Sequence, residues 1–167
     1  MIILGIDPGY DRLGLAVIKQ TAGKLELLYS DCFITNKKDA FSDRLLSVGN
    51  EIEKVLLDWQ PNILAVEKLY FTTNQKTAMA VAEARGVITY LGAKHGLSLA
   101  EYTPREIKTC ITGYGSADKK QIIEMIPKLI KLDKLIKYDD EYDAIGIALT
   151  HLARAPLTSL STPKQKL

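Results

Sequence analysis

Ile2-Ile3-Leu4-Gly5-Ile6-Asp7-Pro8-Gly9 is the stretch that decides how this chain folds. An apolar run ends on an aspartate and then on two turn-forming residues, so Ile2 to Ile6 is expected as a buried strand that delivers Asp7 to its carboxyl end. Pro8, Gly9 and Asp11 supply turn chemistry, and Gly14 to Lys19 reads as the returning strand of a hairpin. Lys24 to Ile34, with apolar side chains at Leu25, Leu27 and Tyr29, alternates as a third antiparallel strand with one covered face does.

Beyond this meander the period changes. Phe41, Leu45, Val48, Ile52, Val55, Leu56 and Trp59 recur at three-and-four spacing, which marks an amphipathic helix over Phe41 to Trp59 that Pro61 ends. Ile63 to Val66 is a short apolar strand running into Glu67, and a long helix from about Gln75 to Lys94 follows. Leu97 to Tyr102 is expected as the last strand; Pro104 opens a short helix that stops before Gly113 and Gly115. Asp118 to Ile130 and Asp140 to Arg154 complete the helices. Strand-to-helix alternation after an antiparallel start predicts an α/β fold, with a five-stranded mixed sheet of three antiparallel then two parallel strands flanked by helices. Residues 1–155 are read as one domain, and the Ser-, Thr-, Pro-, Lys- and Gln-containing tail at 156–167 is expected to be flexible.

Composition narrows the function classes. With 167 residues, 47% hydrophobic and 25% charged, the chain fits one globular domain with its own core, neither disordered nor a membrane protein. A net charge of only +2 excludes indiscriminate coating of nucleic acid, so any DNA contact must use local patches. Cys32 and Cys110 form no zinc or redox spacing and are expected as free thiols in the interior. The opening apolar run has no basic region before it and is broken by Asp7, so no signal peptide or membrane span is expected, and a cytoplasmic location follows.

The chemical signal lies in the acids. Asp7 and Glu67 each end a strand, and if those strands are parallel neighbours both carboxylates meet at one edge of the sheet. On the last helix, steps of about 100° per residue place Asp140, Asp143, Ile147, His151 and Arg154 on one stripe and Ile145, Ala148, Leu149 and Leu152 on another. The second stripe is the expected core face, leaving Asp140 and Asp143 unburied; Glu141 points to the apolar side and Asp139 suits an N-cap. A carboxylate quartet repels itself unless a cation neutralises it, and oxygen donors suit Mg2+, with Mn2+ as a substitute. Two ions about 3.5–4 Å apart would serve phosphodiester hydrolysis. Singly, each acid also has an ordinary role as turn former, strand-end charge or helix-dipole partner, and spacing leaves both readings open.

Five motifs tip the balance. Gly5-Ile6-Asp7-Pro8-Gly9, Glu67-Lys68-Leu69-Tyr70-Phe71 with Asn74, Ala84-Arg85-Gly86-Val87, Gly113-Tyr114-Gly115-Ser116-Ala117-Asp118-Lys119 and Asp140-Glu141-Tyr142-Asp143-Ala144 resemble, in this order, the motifs of RuvC Holliday junction resolvases. The resemblance runs from about Ile2 to His151. It implies an RNase H-like nuclease fold, a homodimer and Mg2+-dependent paired nicks across a four-way DNA junction in recombination and repair. A branch-migration helicase complex is a further candidate partner. Asp7, Glu67, Asp140 and Asp143 become the metal-binding catalytic quartet. Tyr70, with Phe71 beside it, takes the place of an aromatic that touches opened bases, consistent with base stacking worth about 1–3 kcal/mol.

Lys108 and Lys119 match catalytic lysines near the scissile phosphate, and Lys120 joins them as a DNA contact beside Gly113 and Gly115. Ala78, Ala80, Ala82, Ala84 and Gly86 thin the long helix enough for a second helix to approach, which suits the twofold contact. Three other readings remain: a nuclease on other branched DNA or structured RNA, a junction-binding module without catalysis, and an actin- or sugar-kinase-like nucleotide site. For the last, the usual second phosphate loop and second lobe are missing. His151 stands about 12 Å along the helix from Asp143, too far to share its metal.

Overall fold

A computed structural model of the chain describes residues 1–68 and 75–154, with the backbone alone for 75–77. Strands β1 (Ile2–Asp7), β2 (Arg12–Thr21) and β3 (Lys24–Ile34) form the antiparallel meander. With β4 (Ile63–Glu67) and β5 (Ser98–Tyr102) they make one five-stranded sheet in the order β3-β2-β1-β4-β5. β2 is longer than expected at both ends, because it pairs with β3 as far as Thr21 opposite Lys24. The connecting Ala22 and Gly23 both have positive φ, the geometry that suits a tight hairpin turn.

β1 is the middle strand. It lies antiparallel to β2 with Asp7 opposite Gly14, and parallel to β4 with Ile6 opposite Val66. β4 is parallel to β5, with Glu67 opposite Tyr102. Helices α1 (Phe41–Trp59) and α2 (Gln75–Lys94) cover one face; α3 (Pro104–Thr112), α4 (Lys119–Leu129) and α5 (Asp139–Arg154) cover the other.

Side chains alternate between these two cores as a period of two requires. Leu4, Ile6, Leu64 and Val66 join the α1 and α2 side, whereas Ile3 and Ala65 join the α3, α4 and α5 side. Counting on in twos, from Ile3 through Gly5 to Asp7 and from Ala65 to Glu67, places both acids on the α5 side of neighbouring parallel strands.

α5 departs from the expected two-faced helix. Every residue from Ala144 to Thr150 is buried, including Ile147 on the stripe assigned to solvent. The ridge Asp140, Ala144, Ala148 lies against β1 and β2: a Cβ on Gly5 would sit 2.3 Å from the Ala144 carbonyl oxygen, and one on Gly14 would sit 2.0 Å from that of Asp140. On the other side Gly146 faces Ile107 and Ile111 of α3 and Ile126 of α4. Three helices share this face of the sheet, so the middle of α5 is enclosed from both directions.

The turn that follows Asp7 is tied down from α1. Arg44 is buried, pairs with Asp11, donates to the Tyr10 carbonyl at 3.2 Å and to Thr35 Oγ1 at 2.8 Å, and stacks 4.8 Å from the Tyr10 ring. Replacing it removes the guanidinium donors to Thr35, the Tyr10 carbonyl and Asp11 together with its stacking on Tyr10, so Arg44→Leu is expected to cost about 2–3 kcal/mol. Urea melting measures that loss, and a midpoint unchanged from the wild type would refute the latch.

Candidate active site

Three elements bring the acids together. Asp7 ends β1 and Glu67 ends β4, while Asp140 and Asp143 lie in the first turns of α5, which the missing side chains of Gly5 and Gly14 let down onto the β1–β2 hairpin. Neither helical acid is fully exposed, with side chains 17% and 26% accessible for Asp140 and Asp143, so they are more covered than the stripe reading allowed. Glu67 and Asp143 line a cleft of about 220 Å³ with Pro104, Ile107, Lys108, Lys119 and Ile122.

The electrostatics are those of a self-repelling cluster. Burial, then the charges of Asp143, Glu67 and Asp140, push the Asp7 carboxyl up to about 8. Burial and Asp143 push Glu67 up to about 7 against the pull of Lys108 and Lys119. Burial raises Asp140 and Asp143 as well, with Arg12 opposing it at the first and Lys119 at the second. Carboxyls that keep protons near neutral pH have too little positive charge around them.

Two internal cations answer part of that need. Lys119 lies 2.5 Å from Asp139 Oδ2 and 3.0 Å from Asp143 Oδ2. The Arg12 Nε is 3.2 Å from Asp140 Oδ2 and its Nη1 is 3.7 Å from Asp139 Oδ1. Asp139 is thus the first residue of α5 and an ion-pair partner, held down to about 2 chiefly by its hydrogen bond from Lys119.

The family model described as crossover junction endodeoxyribonuclease RuvC matches residues 3–151. The chain is 42% identical over 155 residues to the protein of that name from Rickettsia akari, covering 92% of this chain and 99% of the relative. The chain belongs to the RuvC family. A second RuvC, from Ruminiclostridium cellulolyticum, is 39% identical over 90% of this chain and 91% of its own. Among solved structures, Thermus thermophilus RuvC in complex with a Holliday junction substrate superposes with a TM-score of 0.84 at 29% identity, covering 91% of this chain and 93% of that one. The fold of this RuvC chain is accordingly RNase H-like.

The donor set fits hard divalent cations, since every candidate ligand is a carboxylate oxygen and Lys108, Lys119 and Arg12 offset only part of the cluster's negative charge. Among the described residues, however, no three acidic, histidine or cysteine side chains converge at ligating distance. Asp140 and Asp143 are engaged by Arg12 and Lys119 instead.

Of the other expected site residues, Lys108 and Lys119 line the cleft, whereas Lys120 is exposed and lies 3.9 Å from Glu124. Tyr70 and Phe71 fall outside the described residues, as does the tail from 156. Glu141 points inward as expected, accepting from Ser30 Oγ at 2.6 Å and pairing with Lys134 at 2.8 Å. Cys32 is buried and 3.9 Å from Asp140 Oδ2, while Cys110 is only partly buried. His151 meets the Tyr102 hydroxyl at 2.8 Å, and burial lowers its pKa. Arg12, Ser30 and Lys134 were not anticipated: Arg12 and Ser30 reach α5 from strands distant in sequence, and such pairings leave no local pattern, while Lys134 reaches Glu141 from the loop just before the helix.

Proposed function

We propose that this RuvC chain resolves four-way DNA junctions by metal-dependent, symmetrically paired phosphodiester hydrolysis. The observation that carries the reading is the meeting of Asp7, Glu67, Asp140 and Asp143 on one side of the sheet, beside a cleft that also holds Lys108 and Lys119. Two hard cations, Mg2+ with Mn2+ as substitute, would polarise the scissile phosphate and activate a water there. Asp7 and Glu67, as carboxylates, would hold such ions, and Asp140 and Asp143 would complete the oxygen set. Lys119, already shared between Asp139 and Asp143, has an ammonium within reach of a phosphate oxygen in the same cleft, and Lys108 lines its wall. Tyr70 and Phe71 are assigned to stacking on opened bases, and Lys120 to the DNA backbone.

Paired nicks need two sites related by a twofold axis, and the α1–α2 side offers a surface for the second subunit. There a groove of about 640 Å³ lined by Leu46, Gly49, Gly86, Val87 and Tyr90 runs between the helices, with Leu46 and Tyr90 about two-thirds exposed. Patches of this kind on a small domain mark interaction sites.

Synthetic mobile four-way junctions, linear duplex and structured RNA, incubated with Mg2+, Mn2+ or chelator, test the proposal. Paired nicks in the junction alone, abolished by chelator, are expected; equal cutting of linear duplex or RNA would contradict it. Lys119→Ala is expected to slow junction cleavage on the order of 10²-fold, the usual scale for one lost electrostatic stabiliser. Single-turnover rates check this, and a rate within twofold of wild type would remove Lys119 from the mechanism.

A further inference from the structure

We propose that Arg12 is an internal counter-cation for Asp140: it holds down the divalent-cation affinity of the free protein, and it exchanges that carboxylate for a DNA phosphate when substrate binds. This rests on the metal-binding role given above to Asp140.

The guanidinium is held by three consecutive residues, the first two of α5 and Tyr138 just before it. Nε lies 3.2 Å from Asp140 Oδ2, Nη1 lies 3.7 Å from Asp139 Oδ1, and the Tyr138 ring centroid is 5.8 Å from Cζ. Arg12 opens β2, five residues after Asp7, so the hairpin that carries one acid also carries the cation that engages another. The turn between them is folded tightly onto Arg12, since a Cβ on Gly9 would sit 2.1 Å from the Arg12 carbonyl oxygen. The backbone bearing the guanidinium therefore has little freedom to drift.

Two consequences follow from charge alone. A divalent cation taken up by Asp140 competes with the guanidinium for the same carboxylate, so removing Arg12 makes the cluster one unit more negative and a better cation site. The Arg12 side chain is nonetheless 44% accessible to solvent. Its planar fork matches phosphate as well as carboxylate, and it is weakly hydrated, so little is lost when it changes partner. Cation uptake and DNA binding each weaken Arg12's hold on Asp140, and they are therefore expected to favour one another.

The test pairs two readouts on the full-length protein. Mn2+ titration of the free protein, by calorimetry or by loss of the free-ion paramagnetic resonance signal, is expected to show roughly tenfold tighter binding in Arg12→Gln, the scale of one nearby charge partly screened by solvent. Arg12→Lys should lie nearer the wild type. Junction binding in chelator is expected to weaken several-fold in Arg12→Gln, with a salt dependence shallower by about one phosphate contact. A merely structural arginine would move both affinities in the same direction. Mn2+ affinity that is unchanged or weaker in Arg12→Gln, or a Lys variant as tight as the Gln variant, would overturn the proposal. Should wild-type protein bind no Mn2+, or Asp143→Asn bind it normally, the metal-binding quartet falls instead.

Discussion

Asp7→Asn is expected to reduce cleavage of four-way DNA by on the order of 10³-fold or more while leaving junction binding within a few-fold of wild type. The charge that Asp7 brings to the cluster is what the substitution removes, since Asn keeps the shape and one oxygen. The same variant should be more stable than wild type when metal is absent. Burial and three neighbouring carboxylates lift the Asp7 carboxyl from its ordinary 3.8 to about 8, so the native state holds a proton that the unfolded chain has lost. Stability that depends on that proton is present below the unfolded value and drains away as pH climbs toward 8. Metal-free wild type should therefore lose melting temperature between pH 5 and pH 8, and Asp7→Asn should lose less. Excess Mg2+ should reverse the order, stabilising wild type and not the variant, because a ligand stabilises only the state that binds it. Junction cleavage by Asp7→Asn at the wild-type rate would remove Asp7 from the site, and identical melting profiles would remove the charge strain.

The second large effect is steric. Gly14→Ala would place a methyl carbon 2.0 Å from the Asp140 carbonyl oxygen and 3.1 Å from the Asp7 Cβ, with backbone on one side and a strand on the other. Neither can yield without lifting the start of α5, so a loss of about 3 kcal/mol or more is expected, together with loss of cleavage. Gly5→Ala meets the Ala144 carbonyl oxygen at 2.3 Å and should behave alike. Gly146→Ala is the control on the same helix: its added carbon finds only ordinary contacts of 3.6–3.8 Å, and exchanging a mid-helix glycine for alanine is expected to stabilise by about 0.5–1 kcal/mol. Denaturant titrations of the three variants measure this directly. Wild-type stability in Gly14→Ala would mean that α5 does not rest on the hairpin as described.

These glycines mark the boundary between what could be read from the sequence and what could not. The apolar runs that end on Asp7 and Glu67 are local properties, so the two strands and the placing of an acid at the end of each were accessible from the sequence, whereas the parallel pairing that joins the two acids at one edge entered there only as a condition and is supplied by the fold. Helix α5 was not. Its residues 144 to 150 are apolar, small or hydroxyl-bearing on every side, and periodicity cannot distinguish a side chain facing a sheet from one facing α3 and α4. Asp139 suits an N-cap by residue type, yet Lys119 from α4 and Arg12 from β2 take its carboxylate, because folding brings two cations to the helix start. The Ser30 contact with Glu141 spans 111 residues and has no signature along the chain.

The central claim is that side chains from β1, β4 and α5 together bind divalent ions. Anomalous diffraction from crystals grown with Mn2+ tests it most directly. The expected result is manganese density bounded by the carboxylates of Asp7, Glu67, Asp140 and Asp143, with Lys119 and Arg12 drawn back from the oxygens they now hold. Manganese bound elsewhere on the surface, with those four carboxylates still paired to lysine and arginine at saturating metal, would contradict it.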